Sequence, residues 1–159
     1  MKTMIGLADM KFSNDPASIL ATHTLGSGIG VTLYDPETKT GGILHFMLPE
    51  SRMDPQKAQK NPWIFADTGL PLFFQEAYQR GGEKKRILLR IVGGAEVLGD
   101  SRYFNLGKRN YLALRKILWS HDLLIESEDV GGNVNRGVWL EVATGKVWVI
   151  TSGDREREI

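Results

Sequence analysis

The sequence predicts an α/β (α+β layered) fold: mostly antiparallel sheets with two main helices. Three observations predict it. Many short apolar segments are separated by turn signals, as strands are. Only two stretches have the length and period of helices. Several connections between apolar segments are too short for parallel crossovers, so antiparallel pairing should dominate. The 159 residues suit a single domain, residues 1–159, with a sizeable core.

In chain order, residues 3–8, 17–23 and 29–35 are short, apolar and turn-bounded, and read as strands. Asp35-Pro36 opens a turn that Gly41-Gly42 closes, and "ILHFML" follows as a strand up to Pro49. "PESRMDPQKAQKNP" is polar and reads as a surface loop. "ADTGLPLFFQEAYQRGG" is the first helix: Thr68 is placed to cap it, Pro71 to fall in its first turn, and Gly81-Gly82 to stop it. "RILLRIVGG" is a buried strand. "NLGKRNYLALRKILWSHD" is the second helix, with Tyr111, Leu114 and Leu118 on one face and basic residues between. "LLIESEDVGG", "GVWLEVA" and "KVWVIT" are strands, the last two joined by a hairpin at Thr144-Gly145. The tail "GDREREI" reads as charged and solvated.

Composition narrows the function. Lys plus Arg number 20 against 19 Asp plus Glu, a balance without the strong field that draws nucleic acid or an anionic membrane. No apolar run is long enough to insert in a membrane, and the apolar part of the N-terminus is too short for a signal peptide, so the expected location is cytoplasmic. Cysteine is absent, which removes disulfides, thiolate metal sites and any thiol nucleophile from the chain.

One stretch carries the chemistry, "THTLGSGIGVTLYDP". Gly26-Ser27-Gly28 is a backbone-rich turn between two strands. His45 lies 17 residues beyond Gly28. A hairpin of the strands around 29–34 and 43–48 brings the imidazole beside that turn. Backbone N–H groups there suit an oxyanion, and the imidazole suits a general base. The tip of the turn has no nucleophile.

These residues resemble the signature of the bacterial chemoreceptor glutamine deamidases, the CheD family: T-L-G-L-G-S-C-V-A-V, a variable turn, then G-G-M-A-H-F-M-L-P. The chain has Thr22-His23-Thr24-Leu25-Gly26-Ser27-Gly28-Ile29-Gly30-Val31 and later Gly41-Gly42-Ile43-Leu44-His45-Phe46-Met47-Leu48-Pro49. "FADTGL", "IVGGAEVL", "NLGKRN" and "EDVGGNVNRGVWLEVATGKVWV" resemble further family stretches in the same order. The resemblance implies the family's fold, no cofactor, and catalysis by a cysteine, a histidine that activates it and a threonine that holds the histidine. The histidine falls on His45, the threonine on Thr22, and the cysteine on Gly28, which has no side chain. The expected protein is therefore an inactive deamidase scaffold that keeps receptor or phosphatase binding. Its implied partners are the cytoplasmic helices of chemoreceptors (methyl-accepting chemotaxis proteins) and a CheC-type phosphatase. The alternative is an active glutamine deamidase with Ser27, Thr22 or Thr24 as nucleophile. Ser27 should face away from the cysteine's direction, because neighbouring side chains alternate in extended backbone. The geometry expected of the site is His45 next to the Gly26–Gly28 turn, Thr22 near its ring, and all three at a partly open groove.

Other residues take plainer readings. His23, His45 and His121 lack metal-binding spacing, so no metal is expected. Doubled glycines at 41, 81, 93 and 131 suggest turns needing positive φ. Arg136 is either groove-lining or a strand-edge surface charge. Trp139 and Trp148 read as core packing on the last hairpin. Glu50 and Asp54 read as solvated loop charges.

Overall fold

Two five-stranded sheets lie face to face, and two long helices cover the outer face of one of them. The computed structural model describes residues 1–96, 104–153 and 155–159. The first sheet runs in the order β1 (Lys2–Ile5), β3 (Ile19–Thr22), β8 (Arg136–Glu141), β9 (Val147–Thr151), β10 (Arg155–Glu158). The second runs β2 (Asp9–Ser13), β5 (Thr40–Phe46), β4 (Ile29–Asp35), β6 (Leu88–Gly93), β7 (Ile125–Val130). The helices are α1 (Pro55–Lys60), α2 (Ala66–Gln79) and α3 (Leu106–Ser120). Antiparallel pairing dominates as expected; among the described residues only β1 with β3 and β6 with β7 are parallel. The β6-to-β7 crossover carries α3.

Strand alternation sorts the side chains into two cores. Ile29, Val31 and Leu33 of β4, with Leu44 and Phe46 of β5, face Leu70, Phe73, Phe74, Leu114 and Leu118 of the helices. The intervening residues face the first sheet, where Ile43, Val92, Val138, Leu140, Val147 and Val149 meet. Each large apolar side chain buried in these layers stabilises the fold by about 1.5–3 kcal/mol. Asp35, at the end of β4, is buried and bonded to Arg86 at 2.8 Å and to the N–H groups of Glu37 and Glu83, which fastens the β4–β5 turn to the segment after α2.

Several local expectations change. The segment 3–8 divides: β1 stops at Ile5, and a separate strand, β2, begins at Asp9 after a turn with Ala8 at positive φ. Residues 49–62 are not a plain loop; they hold a 3-10 turn, Ser51–Met53, and α1, which Asp54 caps by accepting from Lys57 N. Helix α2 starts at Ala66, before Thr68, so Thr68 is no cap; its hydroxyl instead donates to the Pro62 carbonyl at 2.5 Å. Pro71 therefore lies inside the helix rather than in its first turn. Gly41 and Gly42 close no turn. They lie in β5 without positive φ, and a Cβ on Gly42 would run into the Phe12 ring; close approach, not backbone conformation, requires glycine there. Trp139 and Trp148 are not core. They pair across β8 and β9 on the half-exposed outer face, with Lys2 Nζ 3.7 Å above the Trp139 ring and Trp148 Nε1 donating to Glu141. The tail is strand β10, whose exposed Arg and Glu side chains do not prevent its backbone pairing with β9. Val97 and Leu98 of "IVGGAEVL", and Asp154 of the tail, lie outside the described residues.

Candidate functional site

The β4–β5 hairpin sets Gly30 opposite His45 and Ile29 opposite Phe46. Gly28 thus enters β4 beside the imidazole, as the sequence suggests. A β-carbon built on Gly28 would stand 2.8 Å from His45 Nε2, 2.9 Å from the Phe46 carbonyl oxygen and 3.1 Å from that of Leu25. The missing side chain therefore points at the nitrogen a general base would use. Gly28 is not among the glycines at positive φ, so its backbone is one an L-residue adopts. The distances are nevertheless tight, and a side chain there requires the imidazole and the neighbouring carbonyls to give way.

His45 is buried, at 2% exposure, and its Nε2 has no hydrogen-bond partner among the described residues. Burial pushes its pKa down from 6.5 to about 4, while backbone groups of Gly6 and Leu25 pull weakly the other way. The ring is therefore neutral at pH 7, the form that accepts a proton.

The turn that presents Gly28 is held on several sides. Leu25 N donates to the Arg136 carbonyl at 2.8 Å and Gly28 N to the Leu25 carbonyl at 3.0 Å. Gly94 N donates to the Gly28 carbonyl at 2.9 Å and Ala95 N to that of Gly26 at 3.1 Å. Gly26 takes a φ of +60°, which suits glycine. The Gly28 N–H is engaged, while the N–H groups of Gly26 and Ser27 donate to no backbone acceptor among the described residues. Both residues are half-buried.

Sequence reasoning missed Asn110. It is fully buried, and its Nδ2 donates to the Ser27 carbonyl at 2.9 Å and the Met47 carbonyl at 3.0 Å. It clamps the turn to the chain leaving β5. The signal was present: Leu106, Asn110, Leu114 and Leu118 form the buried stripe of α3, with one polar member.

Thr22 ends β3, in the opposite sheet, and is buried. Its Oγ1 accepts from Val138 N at 3.1 Å, and no hydrogen bond joins it to His45. The expected groove is shared only in part: Thr22 borders a groove of about 450 Å³ with His23 and Thr24, while Gly28 and His45 are buried away from it, because the turn packs against residues 93–95 and the Asn110 clamp closes its other side. Arg136 is no surface charge; it borders two shallow grooves, one with Thr22, His23 and Thr24 and one with Asp129 and Val134. It is buried, with Nε on Asp129 at 3.0 Å, so the "ED…R" stretch is an internal ion pair fixing the β7–β8 connection beside the turn. Glu50 pairs with Arg52 at 2.8 Å; that bond first, then the nearby Arg109 and Lys116, lowers its carboxyl pKa. His23 is exposed, and His121 follows α3 with its ring edge-on to Phe74. Among the described residues no three His, Asp or Glu side chains gather as metal ligands, and no helix is long and apolar enough to cross a membrane.

The arrangement is a sheet-borne histidine facing the place of a nucleophile, on a turn rich in backbone donors. A nucleophile–base pair would need a side chain opposite the imidazole, and Gly28 offers none. Residues 47–151 match the family model described as "CheD chemotactic sensory transduction". The chain is 45% identical over 156 residues to the probable chemoreceptor glutamine deamidase CheD 1 of Syntrophus aciditrophicus, covering 98% of each protein. It is 42% identical to the probable chemoreceptor glutamine deamidase CheD of Solibacter usitatus, covering 96% of this chain and 90% of that protein. It is 38% identical to the probable chemoreceptor glutamine deamidase CheD 2 of Anaeromyxobacter dehalogenans, covering 95% and 94%. The chain belongs to the CheD family of chemotaxis proteins.

Proposed function

We propose that this chain is a CheD-family chemotaxis protein without deamidase activity, which binds chemoreceptor cytoplasmic helices or a CheC-type phosphatase in the cytoplasm. One observation carries the reading: His45 Nε2 faces Gly28 and has no partner among the described residues. Deamidation by covalent catalysis needs a nucleophile within hydrogen-bond reach of its base. No hydroxyl of Ser27, Thr22 or Thr24 stands in that position, and no cysteine exists in the chain. The histidine, the turn and the clamp remain, which supports a scaffold whose recognition surface outlasts its chemistry.

The test is to incubate the protein with a chemoreceptor helical fragment and follow both modification and binding. Mass spectrometry should find no glutamine converted to glutamate above background, and fluorescence anisotropy should find the fragment or the phosphatase bound. Conversion that depends on this protein overturns the inactive reading. Binding of neither partner overturns the scaffold reading.

A further inference from the structure

A groove of about 500 Å³ runs between α3 and the chain around Pro49. Its floor is Leu112, Ala113 and Ile117. Leu112 is 55% exposed, an apolar side chain of the lining left uncovered. Arg109 and Lys116 stand on the α3 rim, and Glu50 and Asp67 on the opposite rim.

The two rims differ electrostatically. The acids are engaged: Glu50 is paired with Arg52 at 2.8 Å, and Asp67 accepts from Ser51 N and Oγ, both at 2.9 Å. Arg109 and Lys116 make no ion pair among the described residues. Helix α3 carries Lys108, Arg109, Arg115 and Lys116 and no acidic residue. Arg109 and Lys116 are seven residues apart, two helical turns or about 10 Å, and Leu112 lies between them on the same face. Asn110, next to Arg109, holds the turn bearing Gly28, so an occupant of the groove is seated against the same framework as the candidate site.

We propose that this groove seats an amphipathic helix of a protein partner, with carboxylates seven residues apart flanking apolar side chains. This rests on the reading that the chain binds helices, and it names what such a helix must carry. The apolar residues cover Leu112, Ala113 and Ile117, and the carboxylates meet Arg109 and Lys116.

The probe is a fluorescein-labelled, lactam-stapled helical peptide with two Glu seven positions apart and Leu and Ala between. Wild-type protein should bind it, more weakly as salt rises. The double variant Arg109→Glu/Lys116→Glu should bind roughly tenfold or more weakly, and a peptide with Lys in place of both Glu should recover binding to that variant. The recovery also shows that the variant is folded. Equal binding of the Glu peptide by both proteins, or by neither, overturns the proposal. So does capture by phosphatidylserine vesicles in preference to the peptide, or a wild-type dimer that the double variant abolishes. A chemoreceptor helical fragment run in parallel separates the two readings. If both proteins bind it equally, the groove is wrong and the helix-binding function stands. If wild type binds the Glu peptide with the expected charge dependence but not the receptor fragment, the groove stands and the receptor is not its partner.

Discussion

His45 Nε2 lies 2.8 Å from where a β-carbon on Gly28 would sit, and it makes no hydrogen bond among the described residues. The imidazole and the vector of a side chain on Gly28 are aligned, but too close to accept that side chain unchanged. Both facts bear on experiment.

Gly28→Ala should fold with reduced stability. The φ there suits an L-residue, so the penalty is crowding against His45 Nε2 and the Phe46 carbonyl, about 1–3 kcal/mol. Thermal unfolding should show a Tm lower by roughly 2–10 °C. An unchanged Tm would mean that the site has room, contrary to the distances.

Gly28→Cys should be no less stable than Gly28→Ala and should gain measurable release of ammonia from a chemoreceptor helical fragment. A thiol on that vector reaches a neutral imidazole that accepts its proton. If the variant folds and releases no ammonia, while Gly28→Cys/His45→Ala behaves identically, the alignment has no catalytic meaning.

Stability should fall on acidification through the histidine. Its pKa is about 4 in the fold and 6.5 as its ordinary value, so between those pH values the unfolded chain binds the extra proton. Stability is fully present above about pH 6.5, falls as pH drops toward 4, and by then has lost about 3 kcal/mol to this group. His45→Gln removes that slope. Urea unfolding at pH 7 and pH 4.5 checks it: a variant with the same pH loss as wild type contradicts the assignment.

Asn110→Leu should strand the Ser27 and Met47 carbonyls without donors. Each buried group left unpaired costs about 1–3 kcal/mol. Amide exchange should quicken at residues 26–28 and 47–48 more than in β8 or β9. Uniform quickening would show a general loss of stability and no specific clamp.

Asp129→Ala should destabilise by about 3–5 kcal/mol, because it leaves the Arg136 guanidinium buried without its carboxylate. Adding Arg136→Met should recover much of that loss in denaturant unfolding. Additive losses would mean that the two residues act independently.

The sequence by itself determined the layered α+β class, most of the strands, both long helices, the β4–β5 hairpin and the meeting of His45 with Gly28. These follow from local causes: apolar alternation, turn residues, and a hairpin whose register fixes which residues oppose one another. Tertiary structure alone decided the rest. Asn110 bridges two segments distant in sequence. Arg136 becomes a buried ion pair only when β7 and β8 bring Asp129 to it. Trp139 and Trp148 look like core by composition, yet they face outward because the helices pack on the other sheet. The polar tail becomes a strand because β9 offers a free edge. Whether the site opens to a groove depends on the contact of residues 93–95 with the turn, which no local periodicity encodes. Burial and partner choice are properties of what comes from elsewhere in the chain, and a reading of local pattern supplies the surfaces without saying which of them meet.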